Sequence, residues 1–91
     1  MHVERNPDWI SVRVGDELVM MSVSSGDYIG LTETGAAIWD LLESPRAPES
    51  ICEGLRRSFE VGAEDCRAEV EAFLARMEQR GAILRRAPEG Q

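Results

Sequence analysis

The 91-residue chain has no lysine, one histidine, two cysteines and only 5% aromatic residues. A structural zinc site needs about four closely spaced ligands. His2, Cys52 and Cys66 are too few and too far apart to supply them. We therefore predict no metal and no cofactor, and we interpret both cysteines as reduced, buried, small apolar side chains. An enzyme would need a nucleophile beside a base; the sequence offers no such combination, so we expect no catalytic activity.

Long apolar runs are also missing. No segment approaches the roughly 18 apolar residues of a membrane-spanning helix. Residues 1–9 lack the cationic stretch and apolar stretch of a secretory signal. We therefore expect no membrane association and a cytoplasmic location. The length is that of one domain with a small core.

The charge of the chain is −7 and is unevenly distributed. Residues 1–44 contain two Arg and eight acidic residues, whereas the remainder contains eight Arg and nine acidic residues. Phosphate backbones attract clustered positive charge. An acidic chain without a basic helix face is therefore a poor candidate for nucleic-acid binding, which argues against a winged-helix transcriptional regulator.

Three short segments at the beginning of the chain have the pattern of an antiparallel meander. Residues 10–14 alternate apolar and polar side chains, which predicts a half-buried strand. Residues 17–23 are more continuously apolar, which is typical of a central strand. Residues 24–26, Ser-Ser-Gly, predict a tight turn. Asp27–Leu31 would then be the last strand, at an edge of the sheet.

Three helices are predicted after the meander. The first covers about residues 33–43, with Ile38, Leu41 and Leu42 on one face. The second begins at Pro48, a favourable first-turn residue. The third covers about residues 65–80 and is followed by Gly81, which is typical of a helix C-terminus. Residues 82–84 form a short apolar segment. We predict a flexible lead-in over 1–9, one domain over 10–84 and a disordered tail over 85–91.

The order of these motifs resembles the PqqD-like family of leader-peptide recognition modules, the RiPP recognition elements. The family's Gly-x-Tyr-x-x-Leu strand and Gly-x-x-Ile-Trp-x-Leu-Leu helix are matched by Gly26, Tyr28, Leu31, Gly35, Ile38, Trp39, Leu41 and Leu42. Residues 59–61 and 70–81 resemble two further family motifs. Thr32 stands where many relatives have Asn, and both residues can cap a helix. The resemblance implies an α+β, winged-helix-like fold with a three-stranded antiparallel sheet followed by three α-helices.

The resemblance also implies a function and a site. A leader peptide would add as a strand to the edge strand beside the third helix, which is β-augmentation. The predicted leader-binding residues are Asp27, Tyr28, Ile29, Gly30, Leu31, Arg67, Ala68, Val70, Glu71, Leu74 and Ala75. For several of these residues the sequence allows two different roles. Gly30 would admit a neighbouring strand or mark a bulge, and Tyr28 would contact the ligand or pack in the core. The alanines would floor a groove or simply favour the helix.

The expected partners are the leader of a ribosomally made precursor peptide and a leader peptidase or other modifying enzyme. Within the family, the chain most resembles the free-standing leader-binding protein of lasso-peptide clusters, whose leaders tend to carry a Tyr-x-x-Pro motif. An accessory protein for a radical enzyme, as in pyrroloquinoline quinone biosynthesis, is the alternative. We expect a monomer, or a dimer formed by pairing of the open edge strand with its copy.

Overall fold

The computed structural model describes residues 2–59 and 62–86, and within them five strands and three helices. In chain order these are β1 (His2–Arg5), β2 (Trp9–Val14), β3 (Glu17–Ser22), β4 (Tyr28–Leu31), α1 (Glu33–Leu41), α2 (Pro48–Ser58), α3 (Ala63–Gln79) and β5 (Ile83–Arg86). This is an α+β fold in which three helices follow a three-stranded antiparallel sheet, as the sequence predicted. Among the described residues, no helix has the length and apolarity to cross a membrane.

The sheet is the predicted meander, with strand order β2-β3-β4. Val12 is opposite Val19, and Val19 is opposite Gly30. Gly15 and Gly26 make the two turns with φ of 65° and 79°, conformations that side-chain-bearing residues rarely adopt. The central position of β3 and the edge position of β4 are therefore confirmed.

The helices begin and end close to the predicted residues. Thr32 caps α1, because its hydroxyl oxygen accepts a hydrogen bond of 3.1 Å from the Gly35 N–H. Pro48 opens α2, and Gly81 follows α3 with φ of 78°. One apolar core joins the helices to the sheet, and Trp39, Met20, Leu55, Leu74 and Met77 are among its largest buried side chains.

The N-terminal residues differ from the flexible lead-in that the sequence suggested. β1 pairs with β5 in a separate two-stranded sheet, with Val3 opposite Arg85 and Arg5 opposite Ile83. Val3 is fully buried and also exchanges two backbone hydrogen bonds with Arg46. The sequence signal was weak because Val3 is the only buried residue of β1. The predicted tail likewise starts inside β5, at Arg85 and Arg86, and its residues 87–91 lie outside the described residues.

The two faces of the meander also differ from expectation. The helices cover only the face that carries Leu18, Met20 and Leu31, which are buried. β2 was predicted to be half buried, yet its Ile10, Val12 and Val14 are exposed on the other face. That prediction was wrong because no second layer packs on this face within the described residues.

Candidate functional site

The outer edge of β4 has unpaired backbone groups. In an antiparallel pair, alternate residues exchange hydrogen bonds with the neighbouring strand, and the residues between them point their bonding groups away. The 2.8 Å bond from Ser22 N–H to Asp27 C=O sets this alternation, so Ile29 and Leu31 bond to β3. The N–H and C=O groups of Tyr28 and Gly30 therefore point away from β3. We call this side of β4 the open edge, since no strand of the described chain pairs with it.

The side chains of β4 divide between the two faces of the sheet. Leu31 is buried and Ile29 is partly buried against the core. Tyr28 is 72% exposed, so its alternative interpretation as a core residue was wrong. A Cβ atom at Gly30 would have no heavy atom within 4 Å. The open edge is therefore accessible both to a backbone and to the side chains of an added strand.

The segment after β4 forms a hollow with α3. It has a volume of about 110 Å³ and is lined by Thr32, Thr34, Gly35, Ile38, Glu69, Ala72, Phe73 and Arg76. The two helices approach closely there, because a Cβ atom at Gly35 would be 3.1 Å from the Phe73 ring. We call it the strand–helix hollow because its lining begins at Thr32, the residue after β4. No residue of β4 itself lines it, and its lining includes one apolar ring, Phe73, and two opposite charges, Glu69 and Arg76.

The predicted residues of α3 fall on three different sides of the helix. Val70 and Leu74 are buried in the core. Arg67 and Glu71 face α2, where they line a separate hollow with Cys52. Glu71 pairs with Arg85 of β5 at 3.7 Å, not with Arg67 as its i,i+4 neighbour. These two charged side chains are therefore on the side of α3 away from the strand–helix hollow.

Ala68 and Ala75 of the predicted set, together with Ala72 between them, form a row of small side chains on α3. Ala68, Ala72 and Ala75 are all exposed. Ala72 lines the strand–helix hollow, and Ala68 lines a shallow neighbouring surface with Ala72 and Glu69. Ala75 is about 180° around the helix from Cys66, which is buried. The small-residue row therefore passes from the hollow to the outermost side of the helix.

Sequence reasoning did not select Glu69, Arg76, Phe73 and Thr34. Glu69 and Arg76 flank the apolar stripe of α3 on one side, and Arg67 and Glu71 flank it on the other. Helical periodicity defines both flanks but does not indicate which of them faces the start of α1. The packing of the helices makes that choice, and it places Glu69 and Arg76 beside Thr32 and Thr34.

Asp8 fixes the turn that leads into β4. Its carboxylate accepts hydrogen bonds from the Ser22 hydroxyl (2.6 Å), the Ser24 hydroxyl (2.8 Å) and the Ser24 N–H (3.0 Å). These hydrogen bonds, first of all that from Ser22, lower the pKa of Asp8 because they stabilise its charged form. The carboxylate thus ties the chain before β2 to the turn before the open edge.

The two cysteines lie where α2 and α3 are in contact. Cys66 is buried and its Sγ lies 3.6 Å from the Cys52 carbonyl oxygen, while Cys52 is half-buried. Desolvation raises the pKa of the Cys52 thiol, which favours the neutral form. Both thiols are free. Across residues 2–59 and 62–86, no three His, Cys, Asp or Glu side chains are grouped to hold a metal ion.

Comparisons with known proteins agree with this architecture. The structure "TbiB1 in Complex with the TbiA(beta) Leader Peptide" matches with a TM-score of 0.82 and 25% identity, over 93% of this chain and 99% of that one. "Lasso peptide synthetase B1 complexed with the leader peptide" has a TM-score of 0.79 and 22% identity, over 91% and 98% of the two chains, and shows a shared fold. No curated protein sequence matches this chain.

The chain also matches the model of a protein family. The family model described as "Coenzyme PQQ synthesis protein D (PqqD)" matches residues 17–83, which run from the start of β3 to the start of β5. The matched range includes the open edge, all three helices and the strand–helix hollow. Since this match covers well over half of its length, the chain belongs to the PqqD family.

Proposed function

We propose that this protein binds the leader segment of a ribosomally synthesised precursor peptide by adding it as a fourth strand beside β4. The observation that carries the proposal is the open edge, where the N–H and C=O groups of Tyr28 and Gly30 have no strand partner. Unpaired strand edges are either protected or used for pairing. β4 has no proline, its pairing with β3 is continuous from Tyr28 to Leu31, and Gly30 leaves the approach unobstructed.

Main-chain hydrogen bonds would supply the register, and the strand–helix hollow would select side chains. Ala72 offers exposed apolar surface for an anchor, and Phe73, although only 5% exposed, adds the part of its ring that lines the hollow; Glu69 and Arg76 offer one charge of each sign. Buried Val70 and Leu74 would support the helix rather than touch the leader. The revised leader-binding set is therefore Tyr28, Gly30, Thr34, Glu69, Ala72, Phe73 and Arg76.

The same proposal makes the protein a non-catalytic adaptor that passes its peptide to a leader peptidase or modifying enzyme. Lasso-peptide maturation is the favoured setting, because TbiB1 binds a leader peptide in its structure and the lasso peptide synthetase B1, also bound to a leader peptide, shares this fold. The family description, coenzyme PQQ synthesis, supports the alternative of an accessory protein for a radical enzyme. A cytoplasmic location remains a prediction from the sequence.

Fluorescence polarisation of labelled leader peptides tests the proposal. The probes are the leader of the precursor gene nearest to this one, a scrambled version and a pyrroloquinoline-type precursor peptide. Saturable binding with a Kd in the micromolar range or tighter, lost on scrambling, is expected for the first probe. Binding confined to the pyrroloquinoline-type precursor would favour the alternative. Absence of binding to all three, up to about 100 μM, would contradict leader recognition, since such weak association is worth less than about 5.5 kcal/mol.

A further inference from the structure

The sheet has an apolar face that residues 2–59 and 62–86 leave uncovered. Cross-strand pairing arranges its side chains in rows, Ile10–Met21–Tyr28 and Val12–Val19–Gly30, with Val14 beside Glu17. We call this surface the outer sheet face. All its large apolar side chains except the partly buried Val19 are among the most exposed in the described chain, between 40% for Met21 and 72% for Tyr28.

Such a surface is unusual for a sheet that faces water. The solvent side of an antiparallel sheet normally carries polar residues, and contiguous apolar patches on soluble proteins mark interaction sites. Here the helices pack on the opposite face, where Leu18, Met20 and Leu31 are buried. Packing among the described residues therefore does not account for the apolar side chains at these positions.

The charge around the outer sheet face selects its partner. Asp16 and Glu17 are exposed at one end of the face, and Asp27 is exposed beside Tyr28 at the other. The chain as a whole has a charge of −7, so two copies approaching through this face would repel each other. A partner with an apolar patch bordered by Arg or Lys would be attracted instead.

We propose that the outer sheet face docks the enzyme that receives the leader, through an apolar patch bordered by basic residues. This inference rests on the proposed function. A strand added to β4 extends the rows, because directly opposed residues of neighbouring strands share a face. Leader residues opposite Tyr28 and Gly30 would thus project from the same surface as Met21 and Val19.

The enzyme would then contact a four-stranded surface that is complete only when the leader is bound. If enzyme binding is tighter to the loaded adaptor, leader binding must be tighter in the presence of the enzyme by the same factor. Coupling of this kind is expected when the leader forms part of the contact, and loss of the coupling on substitution of an outer-sheet-face residue locates the rest of that contact.

Val12→Glu tests the proposal, and Ser11→Glu is its matched control. Val12 is 58% exposed on β2, two strands away from the open edge, so the fold and the leader site should both tolerate the change. Ser11→Glu adds the same charge one residue earlier, on the opposite face. Ile10→Glu provides a second variant on the outer sheet face. Circular dichroism establishes that each variant folds.

The measurements use the leader of the nearest precursor gene and the leader peptidase or modifying enzyme encoded beside it. We expect Val12→Glu to weaken enzyme binding at least tenfold in calorimetry and to leave the leader Kd within twofold when the enzyme is absent. Adding the enzyme should tighten leader binding severalfold for the wild type and Ser11→Glu, but not for Val12→Glu.

Three results would overturn the inference. The first is unchanged enzyme binding by both folded variants, and the second is failure of the enzyme to bind the wild-type protein with leader present. The third is a dimer in sedimentation that Val12→Glu dissociates, which would assign the outer sheet face to a second copy. Failure of the proposed function is a separate result, in which the leader binds none of the proteins even without the enzyme.

Discussion

The guanidinium of Arg5 lies over the indole ring of Trp39, 4.6 Å from the ring centroid, and its Nε donates a 3.2 Å hydrogen bond to the Trp39 carbonyl oxygen. Burial lowers the pKa of Arg5, although the nearby acids Asp40 and Glu43 oppose that shift. Trp39 is almost fully buried and is therefore a core residue. The pair therefore connects the N-terminal strand directly to the helix at the centre of the core.

Arg5→Ala should destabilise the protein measurably. A partly desolvated cation over an indole is worth up to about 2 kcal/mol, and the carbonyl of Trp39 would lose a charged donor. We expect a loss of about 1–3 kcal/mol in urea unfolding. Arg13→Ala is the control, because Arg13 pairs with Asp40 where both side chains are about 60% exposed. Surface pairs contribute about 0–1 kcal/mol, so equal losses from the two variants would contradict the anchoring role of Arg5.

The hydrogen bonds of Asp8 predict a pH dependence. Its pKa in the folded protein is below the ordinary value of 3.8. A carboxylate with a depressed pKa contributes stability that is present above the unfolded-state pKa and is lost as the pH falls through the folded-state pKa. Asp8→Asn should therefore be less stable than the wild type at pH 7, and this difference should shrink below about pH 4. Urea unfolding at pH 7 and pH 3 measures this difference in the free energy of unfolding.

Asp16→Asn is the control for that experiment, because Asp16 is exposed in the other hairpin turn. It removes the same charge without removing the acceptor of Ser22 and Ser24. A stability difference between Asp8→Asn and the wild type that is equally large at both pH values would show that the effect is not due to ionisation of Asp8.

Some features of this fold follow from local sequence patterns, and others do not. Chain order in a meander makes β4 an edge strand, and apolar spacing places Ile38 and Leu42 in the core. Strand β1 was missed because Val3 alone is buried there, and its pairing with β5 joins the two ends of the chain. A partner so distant in sequence leaves no local signal.

The site was predicted in part for a similar reason. The open edge depends on local order and was identified, although its function is still a proposal. Which side of α3 lines the strand–helix hollow depends on how the helix packs, so the sequence did not indicate that Glu69 and Arg76 lie there. The alternation in β2 was recognised, but the periodicity of one strand does not indicate whether a second layer covers Ile10 and Val12.

Neighbouring residues of α3 allow a test of which side the leader uses. Ala72 lines the strand–helix hollow, whereas Glu71 faces α2. Ala72→Gln should fill part of the hollow and weaken leader binding about fivefold or more, with unfolding changed by less than about 0.5 kcal/mol, as is typical of exposed sites. Glu71→Gln should change the leader Kd by less than twofold. If Glu71→Gln weakens leader binding more than Ala72→Gln does in fluorescence polarisation, the leader uses the side of α3 that faces α2, as the sequence first suggested.

Gly30→Pro tests the main-chain contact itself. The Gly30 N–H points away from β3, so a proline there removes no bond of the existing sheet, and proline is tolerated at such edge positions. It does remove the donor that an added strand would use, and its ring occupies the approach. We expect the leader Kd to rise at least tenfold. Gly30→Ala is the control, since a Cβ atom at this position has no neighbour within 4 Å. A folded Gly30→Pro variant with wild-type affinity would show that the leader does not pair with β4, whatever other surface it uses.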